Sequence, residues 1–204
     1  MADLRNLVEA FKELAATLNN STQQENVELG VAPFAHACSL ISPLFVCVGI
    51  AYKFAEMDYV AKVHDLAEVS QQIGTLNAIL DGDVKANRVR IAGSHTRNLL
   101  RVKRGVDMLK VLFEQILATD RGNSLRDPAS NAYDQVFAPY HGWMIRKAVA
   151  AGMHALPTKA EYFQMLNEDE RLAKAQMQNY ITASAPVITY VENLFISRGL
   201  GTDW

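Results

Sequence analysis

Residues 1–204 read as a single all-α domain, and three observations carry that reading. Apolar residues recur with the helical period through almost every segment. No stretch alternates apolar and polar long enough to make a sheet. No linker or internal repeat divides the 204 residues, a length that suits one domain with a sizeable core. Half of the chain is apolar and 21% is charged, which places it among folded proteins and not disordered tails. With a formal net charge of -2, nothing global drives it onto nucleic acid. Any anion it prefers must be met by a local cluster of positive charge.

In chain order, Leu4, Leu7, Val8, Phe11, Leu14 and Leu18 form one helical stripe, with Asp3 placed to cap it. Residues 19–30 are polar and read as a loop. A long helix is expected from about Pro33 towards Ile73, kinked near Pro43, followed by a shorter one from Ile73 to Val89. Another begins near Ser94 or His95 and reaches about Thr119. The turn-rich loop DRGNSLRDP ends with Asp127 as N-cap and Pro128 in the first turn of a helix that stops near Pro139. Trp143 to Leu156 forms the next helix. The remainder, Thr158 to Leu200, is helical with a break expected at Pro186.

Cys38 and Cys47 lie nine residues apart in apparent helix, which separates them by roughly 13 Å and excludes a disulfide. They read as buried thiols in a reducing compartment. The N-terminus MADLRNLVEAF lacks the apolar centre of a signal peptide, and the most apolar run, Leu40 to Tyr52, is too short to span a bilayer. The expected address is the cytoplasm.

Helical geometry then places charges on unexpected faces. At 100° per residue, Cys47, Ala51, Ala55, Lys62 and Val69 fall within about 60° of Asp58, while Lys53, Glu56 and His64 fall on the far side. Asp58 thus lies on a small, apolar row. It is either an ordinary surface pair with Lys62, worth a few tenths of a kcal/mol, or a carboxylate placed to accept from something. On the helix after His95, the seam is Leu99, Val102, Val106, Leu109, Phe113 and Ile116. Arg97 and Arg101 sit together about 110° from it, and their own row continues into Met108 and Leu112. Such a row suits an amphiphile, with a headgroup at the arginine end and hydrocarbon beyond. It also suits a surface helix with scattered basic residues. Arginine fits the first role because its planar fork binds phosphate through two hydrogen bonds. Lys103 and Arg104 face elsewhere on this geometry. His141 lies between aromatic residues at a helix junction, Pro139-Tyr140-His141-Gly142-Trp143, where a histidine is either structural or a ligand donor. His36, His64, His95 and His154 have no evident partner.

The stretches FAEMDYVAKV around Asp58, GSHTRNLLRVKRG around Arg97 and Arg101, and VFAPYHGWMIRKAV around His141 resemble the glycolipid transfer protein family. Within it they look like the plant ceramide-1-phosphate carriers. FAHACSLISPLF and the closing LGTDW are lesser matches, and the likeness is weakest in the first thirty residues. The resemblance implies a two-layer sandwich of about eight helices with an internal lipid pocket. It implies that Asp58 accepts from the ceramide amide N–H and that His141 donates to the amide carbonyl. It implies a phosphate clamp of Lys62, Arg97 and Arg101, and a membrane-facing aromatic at Trp143. Glycolipid-carrying members have a tryptophan at the position of Arg101, which stacks on the first sugar; its absence here speaks against a sugar headgroup. A negative role in plant programmed cell death is implied by the same likeness.

The expected function is therefore non-enzymatic transfer of ceramide-1-phosphate between membranes, with transient contact at their surfaces. No GxSxG elbow, paired metal-ligand spacing or glycine-rich phosphate loop is present, so no catalytic residue, metal or cofactor is expected. A lipid sensor or adaptor using the same pocket, and a glycolipid carrier of the same fold, are the rival readings.

Overall fold

The structure, a computed structural model, describes residues 3–19, 28–46, 53–119 and 122–204. Its helices are α1 (Leu4–Asn19), α2 (Val31–Ser39), α3 (Ser42–Val46), α4 (Lys53–Val69), α5 (Leu76–Lys85), α6 (His95–Ala118), α7 (Arg126–Val136), α8 (Trp143–Gly152), α9 (Lys159–Met165) and α10 (Glu170–Ile196). Short 3-10 turns follow α7 at Ala138–Tyr140 and α8 at Met153–Ala155. Among the described residues there is no strand, only the isolated bridges Gly30–Thr75 and Ser124–Thr158.

The first stripe behaves as its spacing predicts. Leu4, Leu7, Val8, Phe11 and Leu14 are buried, and Asp3 Oδ1 accepts from the N–H groups of Arg5 and Asn6 at 3.0 and 3.1 Å. The long helix expected from Pro33 to Ile73 is instead interrupted. α2 starts earlier, at Val31, and ends at Ser39; α3 starts at Ser42, and residues 47–52, including Cys47, lie outside the described residues. Pro43 explains the first break. It has no N–H to give the Ser39 carbonyl, and its ring would collide with that carbonyl in a continuous helix. Cys38 is a buried free thiol, and burial pushes its pKa far above the ordinary range. The helix predicted from Ile73 to Val89 is shorter, since Thr75 caps it by accepting from Ala78 N–H at 3.2 Å.

Two further boundaries differ from expectation. α7 begins at Arg126, so Asp127 and Pro128 occupy its first turn and Asp127 is not the N-cap. Ser124, bridged to Thr158, accepts from Arg126 N–H at 3.1 Å and sets the earlier start. The break expected at Pro186 falls at residues 166–169, where Asn167 adopts a left-handed φ of 53° and Asp169 caps α10. α10 runs straight through Pro186. A mid-helix proline costs about 3 kcal/mol. Val187, Ile188 and Val191 are buried around it, each worth about 1.5–3 kcal/mol, so packing wins.

α6 is the central element. It packs against α4, α5, α7 and α10; α1 packs against α10 and α2, and α2 against α4. Tyr180 of α10 ties three helices together, edge-on to Phe11 of α1 (5.0 Å between centroids) and to Phe113 of α6 (5.5 Å). Its hydroxyl donates to Val106 O at 3.2 Å. Where α4 crosses α6, the ring of Tyr59 fills the place a Cβ on Gly105 would occupy, and the Tyr59 hydroxyl donates to Cys38 O at 3.0 Å. One cluster of buried side chains runs from Leu4 to Phe195. No helix among the described residues is long and apolar enough to cross a membrane.

Candidate functional site

The site begins at the N-terminus of α6. Ser94 caps it by accepting from Arg97 N–H at 3.2 Å, and Asp83 accepts from Thr96 N–H at 2.8 Å. With the helix start fixed, Arg97 and Arg101 project half-buried from the first two turns, and Met108 and Leu112 further along their row are buried. The charged-to-apolar gradient read from the sequence is therefore present. Arg101 Nε is buried and has no hydrogen-bond partner among the described residues. Burial lowers its pKa, the Arg97 charge lowers it further, and the Asp58 carboxylate opposes both.

α4 supplies Asp58 and Lys62, which pair directly one turn apart; the ammonium also reaches Asp58 O at 3.3 Å. The pair with Lys62, one of the two readings the sequence left open, is present, although the row of Asp58 does not face inward. Its side chain is 71% exposed, whereas that of Glu56, placed by periodicity on the solvated face, is 12% exposed. Periodicity identifies faces but not which face a neighbouring helix covers, and Ala55 on the Asp58 row is exposed too. One row further, Asp65 bridges to α6: its carboxylate takes Asn98 Nδ2–H at 2.8 Å and meets His95 Nδ1 at 2.9 Å. Sequence reading missed this clamp and left His95 without a partner, although Asp65 sits seven residues beyond Asp58 on the same helix face. His64 also has a partner, Glu68 at 3.4 Å.

His141 follows the 3-10 turn after α7. Its ring stacks on Phe137 (5.6 Å, 13°), and its Nδ1 lies 2.9 Å from Tyr133 Oη. Burial lowers its pKa first, then the charges of Arg101, Arg104 and Arg146, with Asp58 opposing, so the neutral ring is favoured. Electrostatics thus couples His141 to Arg101 and Asp58, and Arg101 to Arg97 and Asp58, while Lys62 pairs with Asp58. Arg104 is engaged elsewhere: its guanidinium stacks 3.5 Å over Tyr140 and donates to the main-chain oxygens of Thr202 and Trp204, both at 2.7 Å. Lys103 faces Asp107 and Glu192. Trp143 opens α8 at 67% exposure, its ring 4.3 Å from the Lys147 ammonium. Met144 and Ile145 beside it are 76% and 50% exposed. Tyr133, Phe137 and Arg146, whose Nε donates to His141 O at 2.8 Å, were not visible from sequence because they converge only when α7 and α8 fold back on one loop.

A cation cluster beside a lone carboxylate and a neutral imidazole can hold an anion and read one donor and one acceptor next to it. Among the described residues no group of three histidine, cysteine or carboxylate side chains could hold a metal. Two cavities lie apart from this cluster, one of about 470 Å³ between α2 and α4 and one of about 300 Å³ beside Lys159 and Lys174.

Comparison with known proteins identifies the family. The sequence profile of the glycolipid transfer protein family matches residues 29–168. This chain belongs to the glycolipid transfer protein family. Among its family relatives, Accelerated cell death 11 of Arabidopsis thaliana is 61% identical over 98% of this chain and 96% of the relative. A second Arabidopsis family member, named as a homolog of that protein, is 44% identical over 97% of this chain and 87% of its own length. An aspartate-to-alanine mutant of the first, crystallised with C12 ceramide-1-phosphate, superposes on this chain with a TM-score of 0.94 at 60% identity, covering 98% of each chain. Human ceramide-1-phosphate transfer protein shares the family fold at a TM-score of 0.81 and 17% identity over 98% of each chain. The all-α architecture expected from periodicity is thus the glycolipid transfer protein fold.

Proposed function

We propose that this chain carries ceramide-1-phosphate between membranes without making or breaking a covalent bond. The half-buried pair Arg97 and Arg101, with a buried guanidinium N–H unpartnered beside Asp58 and His141, is the observation that supports it. Lys62, Arg97 and Arg101 hold the phosphate; Asp58 accepts from the amide N–H and His141 donates to the amide carbonyl. A relative of high identity has been crystallised with this lipid, and its name links it to cell death, a process we extend to this chain as negative regulation. Trp143, exposed with Met144 and Ile145, gives the cytoplasmic carrier its transient hold on a membrane surface. Residues 1–204 act as one domain.

Energetics support a carrier of this kind. Leaving a bilayer exposes lipid chains at about 0.8 kcal/mol per CH₂, so an apolar sleeve lowers a barrier of order 10 kcal/mol. That sleeve contributes little selectivity. Charge-assisted hydrogen bonds of about 1.5–3 kcal/mol each let the cations separate a phosphate from a neutral headgroup. Arginine at position 101 also offers no aromatic platform for a sugar. Native mass spectrometry against a lipid panel, with vesicle-to-vesicle transfer by Arg101→Glu, tests the proposal. The wild type is expected to retain ceramide-1-phosphate and the variant to lose transfer by tenfold or more on the magnitudes above. Transfer by Arg101→Glu at the wild-type rate would sink it.

A further inference from the structure

Building on that reading, we infer that Tyr133 is a positioning residue that sets the tautomer of His141, presenting Nε2–H to the lipid amide carbonyl. Tyr133 is buried in α7, and among the described residues its hydroxyl makes one hydrogen bond, to His141 Nδ1 at 2.9 Å. A phenol is a far better donor than an imidazole N–H, and a bare imidazole nitrogen is a strong acceptor. With a single bond available, the Tyr133 O–H donates and Nδ1 accepts. The remaining proton of a neutral ring must then sit on Nε2. Phe137, stacked at 13°, keeps the ring from turning over, and Arg146 holds the His141 carbonyl in place.

The ring is kept neutral by burial and by the cations of α6 and α8. Arg101 and Arg104 from α6 and Arg146 from α8 disfavour a second proton, as does burial against α7, and only Asp58 of α4 favours one. Neutrality matters to the assignment. An imidazolium would donate from both nitrogens and could not accept from Tyr133, whereas the opposite neutral tautomer would offer the ligand an acceptor. Asp58 is already an acceptor. The pair reads an amide only if His141 is the donor, and Tyr133 makes it one.

The test is the ring nitrogen spectrum of His141 in the ¹⁵N-labelled full chain, assigned by comparison with His141→Gln. The wild type at neutral pH is expected to show a proton on Nε2 and a hydrogen-bonded, unprotonated Nδ1. Tyr133→Phe, which keeps the ring that fills the space, is expected to give a mixed tautomer. Its affinity for ceramide-1-phosphate in phosphatidylcholine vesicles should fall about five- to tenfold, the scale of one hydrogen bond. Its affinity for phosphatidic acid, which has no amide, should stay within about twofold. An Nδ1–H tautomer in the wild type, or an unchanged tautomer and selectivity in Tyr133→Phe, overturns the inference; the wild-type spectrum decides alone if the variant does not fold. A wild type that binds the two lipids equally would instead overturn amide reading, and the spectrum would still decide the role of Tyr133.

Discussion

α6 and α8 meet around the His141 loop yet are built oppositely. Most of the 24 residues of α6 are buried, and Arg97 and Arg101 emerge from a helix fixed on four sides. α8, ten residues long, buries none of its side chains and opens with Trp143, Met144 and Ile145 facing outward. Precise recognition needs side chains whose backbone cannot drift, and the arginines proposed to hold the anion stand on the rigid element. Partition into an interface needs apolar area that is uncovered in water, and the face proposed for it stands on the other. Isolated exposed hydrophobics are ordinary, but three in succession on a helix with no buried face are a patch.

That contrast can be broken at either helix, and the largest effect belongs to α6. Phe113→Ala is expected to cost about 3–5 kcal/mol, because it opens a cavity under Tyr180 and loosens three helices together. Urea denaturation followed by circular dichroism measures it, and a loss below about 1 kcal/mol would mean that α6 is not the anchor. On α8, Trp143→Ala should leave stability within about 0.5 kcal/mol, since Trp143 is largely exposed. Its vesicle transfer rate should nevertheless fall severalfold, and an unchanged rate would remove this face from membrane contact. The smallest effect lies between the helices. His141 binds a proton less readily folded than unfolded, so below its ordinary pKa of 6.5 the unfolded chain takes up more protons. Stability should be complete above that pH and decline as pH falls through the lowered folded value. His141→Asn should flatten this part of the profile, and an unaltered slope would show that another group titrates there.

The sequence made some of this legible and hid the rest for reasons that are physical. The α1 stripe, the start of α6 near Ser94 and its arginine row are local patterns, and local patterns survive folding. Pro43 broke a helix and Pro186 did not, because the buried neighbours Val187 and Ile188 outweigh the lost hydrogen bond, and burial is not a local property. Asp58 sat on an apolar row by periodicity but is open to solvent, because periodicity does not say which row a neighbour will cover. The roles assigned to Asp58, His141 and the three cations came from family likeness, and the structure adds the Asp58–Lys62 pair and the electrostatic coupling of Arg101 to Asp58, Arg97 and His141. Tyr133 was out of reach: eight residues from His141, it approaches only because the chain turns at Ala138–Tyr140.

Gly105 gives the site a gauge. It stands one turn beyond Arg101, and the Tyr59 ring that occupies its missing side chain belongs to the residue after Asp58. The interval between acid and base is thus set by an absent methyl group on α6 and the thickness of one aromatic ring on α4. A larger residue at 105 would push the two helices apart beside Asp58 and Arg101 and leave each charge intact. Every group of the proposed site would then remain, and the spacing between them would be lost.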